Sequence, residues 1–428
     1  MRFTRWASAI AMIGTLALSA CGSGGGGNDG NTNVRLLNAS VGYSSLDLKV
    51  NDTKVSSGVN FGTVSNYGSI STGSNTAELL VAGSSTLLST PGLNNLNKDG
   101  HFTVIAFGNT GSMATRLLNE SETEPASGST KLLTLNLAPD AGTVDVYVTA
   151  PGASLTDSTP TASNLIPGNG DAYRTITSGT YQIRVTATGS KTDLRLDIPS
   201  VVLDSTKVNT LVLTSAGGGV MVNGLLLAQQ GNVTKYQNGL AKVRAITTLP
   251  RGVIVTAKLN GFASLDNYSS PSQSPAYSDI TVTNGVKVDW IVDGVTQPSK
   301  QIALENSAVY TTLIWGDTAA PTLSVLKEDN SLPSTANTAK VRVLNGVPGL
   351  NNVALYNNTA PVITNVLPGT LSASTSVNAG SNGTDVQVEV RAGAPTVFTE
   401  KKTMTAGKIY TVILSGKLGA IEGSIIEQ

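Results

Sequence analysis

The chain of 428 residues has one cysteine and one histidine. A single thiol excludes any disulfide within the chain, and Cys21 with His101 cannot build a zinc or copper site from soft ligands. Charge is scarce too: 13% of residues are Asp, Glu, Lys or Arg, about half the usual share. The 28 basic and 28 acidic residues cancel, so bulk electrostatics give no case for nucleic-acid binding. Aromatics make up 5%, too few for a surface built on stacking platforms. No stretch carries an amphipathic-helix pattern with caps at both ends. No Gly-x-Ser-x-Gly elbow occurs. These absences leave little ground for an enzyme, and the expectation is a non-enzymatic protein without cofactors.

What is present is a repeat. First strands read VRLLNA (34–39), LLTLNL (132–137), VRAITT (243–248) and VRVLNG (341–346). A second apolar strand starts twelve residues after each, at Leu46, Val144, Val255 and Val353. Middle strands ending in Gly follow at 77–83, 181–189, 286–294 and 386–393. Later strands, also ending in Gly, lie at 102–108, 210–217, 310–316 and 410–416. The period is two: in Val386–Val390 valine alternates with Gln and Glu, one face for a core and one for water. Val, Ile, Thr and Leu fill the strands, and Gly, Asn, Asp, Ser and Pro bound them.

About six or seven strands in roughly 100 residues fit an antiparallel sandwich of immunoglobulin type. The expected fold class is therefore all-β, with about four tandem immunoglobulin-like antiparallel β-sandwich domains. They occupy 34–125, 126–235, 236–332 and 333–428. Short polar linkers suggest a string of domains with modest contacts between neighbours rather than one globule.

Residues 1–20 read as a signal peptide, with Arg2 and Arg5 ahead of the apolar run Ala7–Leu18. That run is too short to span a bilayer. Leu18-Ser19-Ala20-Cys21 closely resembles the bacterial lipoprotein lipobox. The resemblance implies cleavage before Cys21 and lipidation of its sulfur and new N-terminus. Attached acyl chains contribute about 0.8 kcal/mol per buried CH₂, and more than one chain makes anchoring stable. Gly22 after the cut, rather than Asp, implies the outer membrane in a host with two membranes. Residues 21–33 are then the lipidated Cys and a flexible Gly-rich tether.

VRLLNAS (34–40), APDAGTVDVYV (138–148), SGTYQIRVTATG (178–189) and AKVRVLNG (339–346) resemble a bacterial family, domain of unknown function 4397. The second copy carries the closest likeness, and the third departs most. The family implies repeated immunoglobulin-like domains on secreted or anchored bacterial proteins, and supplies no catalytic residues.

Individual residues offer little chemistry. His101 stands two residues after Asp99 but lacks a nucleophile elbow, and reads as an ordinary strand-edge residue. Ser324-Val325-Leu326-Lys327 has Ser-x-x-Lys spacing, but a strand splays the two to opposite faces. Asp47 and Asp145 share a repeat position; calcium between domains is one reading, a solvent-facing turn cap the favoured one. Trp290 and Trp315 could stack on sugars but read as core residues. Gly217–Gly219 lead into Val220-Met221-Val222, a strand, so they form no phosphate loop.

The sequence thus points to a lipid-anchored outer-membrane protein, facing the periplasm or the surface. Its role would be binding or adhesion to a polysaccharide or protein partner. The alternative is a periplasm-facing assembly subunit of an envelope complex. The binding residues and the ligand are not legible in the sequence.

Overall fold

The computed structural model describes residues 30–357, 360–379, 385–393 and 395–428. The expected signal peptide, residues 1–20, and Cys21 lie outside the described residues. The described chain is all-β and consists of tandem β-sandwiches, two sheets to each repeat. In the first, one sheet orders Gly68–Ser71, Asn31–Asn38, His101–Phe107 and Ala114–Asn119. The facing sheet orders Thr53–Asn60, Ser45–Val50, Ala77–Val81 and Leu87–Ser89. The other three repeat this plan with small additions at the edges.

Pairing is antiparallel throughout, with one exception in each domain. The first strand lies parallel to the late strand: Asn31–Asn38 with His101–Phe107, Ser129–Asn136 with Val208–Ser215, Leu240–Thr247 with Val309–Asp317, and Thr338–Asn345 with Ile409–Lys417. Nearly the whole domain forms the crossover that such parallel neighbours require. The two strands finish at the same end of the sandwich, called here the far end.

Between the two sheets of each domain runs an ordinary sandwich core. In the first domain Val34, Leu36, Leu46, Leu48, Leu79 and Val104 meet there. The opposite face of the first strand is apolar as well. Leu37 is the register partner of Ile105, Leu135 of Val212, Ile246 of Leu313 and Leu344 of Ile413. These eight side chains, the same two repeat positions four times, build two further cores. One joins the first domain to the second, and the other joins the third to the fourth. Each such side chain contributes about 1.5–3 kcal/mol on full burial. Modest contact between neighbours is therefore not what forms. The domains associate as two face-to-face pairs, because the central strands are apolar on both faces.

Within each pair the far ends lie side by side. Thr214 Oγ1 donates to Ala39 O in the first pair. In the second, Gly416 N donates to Thr248 O at 2.9 Å, and Arg251 bridges to Glu422 at 2.6 Å. The second pair sits with its near end on the far end of the first. Lys242, at the start of the third domain, reaches Asp193 of the second at 3.1 Å. The segment between the third and fourth domains also docks there. Asn330 N donates to Gly218 O at 2.9 Å, and Leu332 N to Asp140 Oδ1 at 2.8 Å. Asp140 also accepts from Asn109 of the first domain at 2.7 Å, so one carboxylate ties three segments.

Close approach at the second pair requires glycine. A Cβ on Gly346 would fall inside the Thr248 side chain. Gly346→Ala is expected to cost about 1–3 kcal/mol, the range for overpacking, and to lower the thermal midpoint. In a Thr248→Gly background, where the clash is gone, Gly346→Ala should lower the midpoint less than it does in the natural chain.

Candidate functional site

The near end of each pair is organised around charge that the fold buries. One repeat position holds Arg35, Leu133, Arg244 and Arg342 on the first strands. Its neighbour on the late strand is Thr103, Thr210, Thr311 and Thr411. The end of the following antiparallel strand, or the residue just after it, supplies Glu120, Gln229, Glu328 and Gln428, each beside the start of that threonine's strand. Arg35 bridges to Glu120 at 2.7 Å and donates to Gly231 O of the second domain at 2.6 Å. Gln230 of the second domain donates to the Glu120 carboxylate from its backbone. Glu328 binds two guanidiniums, its own domain's Arg244 at 3.1 Å and the fourth domain's Arg342 at 2.6 Å. Tyr277 Oη donates to it at 3.1 Å, and Thr311 donates as well.

The electrostatics follow from burial and partners. Burial pushes the Glu328 carboxyl up, but Arg244, Arg342 and the hydroxyl donors outweigh it and hold it below the ordinary glutamate value. Burial, then the neighbouring Glu328 charge, pushes the Tyr277 hydroxyl well up, so it stays a donor.

Beside this network, where the second domain's far end meets the near ends of the third and fourth, lies a cleft of about 500 Å³. Asp193 and Val220 wall it from the second domain, Lys242 and Tyr277 from the third, Asn330 and Leu332 from the linker, and Ile409 and Gln428 from the fourth. Lys242 is buried between Asp193 and its cross-strand partner Asp279, at 3.1 and 2.8 Å. Burial raises Asp279, against the opposing pull of Lys242. Burial also acts to raise Asp193, but Lys242 and Arg195 bring it below the ordinary value.

A second feature lies at the far end of the second pair, opposite the end where the described chain enters at Asn31. Among the described residues nine large apolar side chains are exposed. Five of them stand in strands and turns at this one end: Ile254, Tyr268 and Val295 from the third domain, Leu367 and Leu418 from the fourth. Single exposed apolar residues are ordinary; their concentration at one end is informative.

The residues singled out from sequence take structural places. His101 is half-buried, its ring edge-on to Tyr67 at 5.0 Å, with Asn33 Nδ2 at 3.5 Å. Ser324 accepts from Trp315 at 2.9 Å, whereas Lys327 pairs with Glu305 at 2.7 Å. Asp47 and Asp145 are buried, not solvent-facing. Asp47 accepts from Gly58 N, Gly83 N and Lys54 at 2.7, 3.2 and 2.7 Å. Asp145 accepts from Asn164 N, Gly189 N and Thr188 at 2.9, 3.0 and 3.2 Å. In the third domain Thr256 takes the place of these aspartates and accepts from Asn267 N at 3.0 Å. The aspartates therefore lock turns. Among the described residues no group of three or more His, Cys, Asp or Glu is placed to hold a metal ion. Trp290 is in the core, its indole N–H donating to Pro298 O at 3.0 Å. Trp315 packs between the third and fourth domains. Gly218 serves as the linker's docking point. Cys21, the expected lipidation site, is not among the described residues.

The family described as "Domain of unknown function (DUF4397)" matches residues 32–147 and 339–428. These stretches take in the first copy, the opening strands of the second, and the fourth. The second copy's Gly-Thr-Tyr strand falls outside the match. No curated protein matches the chain. Among solved structures, the TIE protein of Bacillus anthracis aligns over 90% of this chain and 68% of its own, at 12% identity and a TM-score of 0.14. A ligand-free PulA mutant from Klebsiella pneumoniae aligns over 65% of this chain and 31% of its own, at 12% identity and a TM-score of 0.15. A candidate cell adhesion protein from Bacteroides ovatus aligns over 71% of this chain and 97% of its own, at 12% identity and a TM-score of 0.14.

Glu328→Gln should leave two buried guanidiniums uncompensated and cost about 3–5 kcal/mol. A carboxylate held below its unfolded value stabilises the fold above about pH 4.3, and that contribution is lost as pH falls through the lowered value. Acid titration of the unfolding free energy should therefore fall less steeply in Glu328→Gln than in the natural chain.

Proposed function

We propose, for a chain that belongs to the DUF4397 family at residues 32–147 and 339–428, that it is an envelope lipoprotein whose tip binds a partner. In this reading lipid on Cys21 holds the chain in the outer membrane, and the Gly-rich tether leads to the near end of the first domain. The two stacked domain pairs then act as a spacer, and adhesion occurs at the opposite end.

The observation that carries the reading is the exposed apolar set Ile254, Tyr268, Val295, Leu367 and Leu418. Turns at the ends of sandwiches are the usual place for recognition, because the sheets hold them while their sequences remain free. The charges at this end are of both signs, among them the Arg251–Glu422 pair, Asp293, Asp317 and Lys417, and an apolar tip without one dominant sign favours a protein partner over a charged polymer. Four of its five side chains, those of Ile254, Val295, Leu367 and Leu418, are aliphatic and bury area against protein.

Three measurements test this. Cys21→Ser should abolish incorporation of labelled palmitate and release the chain from the membrane fraction. A non-penetrating protease on intact cells should remove the domains while periplasmic controls survive. Protection until the outer membrane is opened would instead favour the envelope-assembly role. Leu367→Asp with Leu418→Asp should leave thermal stability within about 0.5 kcal/mol per exposed site, and should weaken binding to envelope or matrix fractions at least tenfold. Unchanged binding would refute the tip.

A further inference from the structure

The cleft at the junction of the second, third and fourth domains is separate from the tip and has its own chemistry. We propose that it binds a neutral, hydroxyl-rich ligand of one or two sugar rings.

Its size comes first. About 500 Å³ lies within the range of small-ligand sites, roughly 300–1,000 Å³, which form preferentially where domains meet. The second, third and fourth domains and the segment between the last two all contribute to its walls.

Charge comes second. The cations of the wall are already matched inside the protein. Lys242 lies between Asp193 and Asp279, and Arg244 is bound by Glu328. An anion would have to compete with carboxylates in place, and a cation with an ammonium and a guanidinium in place. Each competitor would also lose its hydration on entry. The matched wall discriminates against both and favours a ligand without net charge.

Polar complementarity comes third. The side-chain oxygens of Gln273 and Asn330, both residues of the cleft wall, are buried and have no hydrogen-bond partner. A buried acceptor left unmade costs about 1–3 kcal/mol. Two acceptors call for two donors, which hydroxyl groups supply without bringing charge. Both residues are half-buried and line the cleft. Between these polar points Val220, Leu332 and Ile409 offer aliphatic surface. A sugar ring has the same composition, hydroxyls on its rim and C–H groups on its faces.

The experiment uses the full mature chain in detergent on an array of neutral and acidic oligosaccharides, with hits titrated by calorimetry. Neutral oligosaccharides should bind. Gln273→Leu and Asn330→Leu should each weaken that binding at least tenfold while the thermal midpoint is kept. Leu418→Asp at the tip should leave it unchanged, so failure of the cleft and failure of the tip are read separately. Binding of acidic glycans alone, binding unaltered in both amide variants, or no glycan bound at millimolar concentration would each overturn the proposal.

Discussion

The structure depends on a strand that is apolar on both faces. One face of each first strand closes its own sandwich, and the other meets the neighbouring domain through Leu37, Leu135, Ile246 or Leu344. A strand in the middle of a sheet can do this only if both its neighbours in the sheet are present. The parallel late strand supplies one, and a short antiparallel strand the other. Once that pairing is made, Ile105, Val212, Leu313 and Ile413 arrive beside the first-strand residues without further specification. The outward patch is too apolar to leave in water, so each domain needs a partner of its own kind.

Apolar patches repeated four times would allow several partnerships, and the buried charges narrow the choice. Glu328 lies between Arg244 and Arg342, so the third and fourth domains share one ion network. In the first pair the second domain has Leu133 where the others have arginine, and Leu133 joins the apolar core. Its backbone instead receives Arg35 and its Gln230 reaches Glu120. A buried ion pair adds little net stability compared with apolar packing, but a charge buried without its partner costs several kcal/mol. Mispairing the first domain with the fourth would leave such charges uncompensated. On this view the charges select partners and the aliphatic side chains hold them.

The stack of the two pairs relies on smaller contacts, with Asp140, Lys242 and the 329–332 linker at its centre. Lysine occurs at the start of the first strand in copies two to four. Each reaches a carboxylate that precedes its own domain: Lys131 to Glu122, Lys242 to Asp193, Lys340 to Asp329. These contacts orient each domain on the chain leading into it. They also leave a cleft at the junction and keep the apolar turns of the third and fourth domains at the opposite end from Asn31.

Much of this was open to a reader of the sequence, and the division has a physical cause. Strand period, Gly-bounded turns and four matching copies are local properties, and they determined an all-β chain of tandem sandwiches. The double apolar face was present in the letters too. Leu36-Leu37, Val104-Ile105 and Val412-Ile413 are adjacent apolar residues, which a strand must send to opposite sides. That departure from alternation signalled burial on both faces. Which domain covers the second face is not local, since every copy offers a similar patch. It was decided by tertiary contact, through Gly346 against Thr248 and Arg342 against Glu328. Asp47 and Asp145 likewise carried a recognisable repeat position, but only the folded turns brought Gly58, Gly83 and Gly189 N–H groups to them. The cleft had no signature at all. Its walls come from residues 192 to 428, and only the stacking of one pair on the other assembles them.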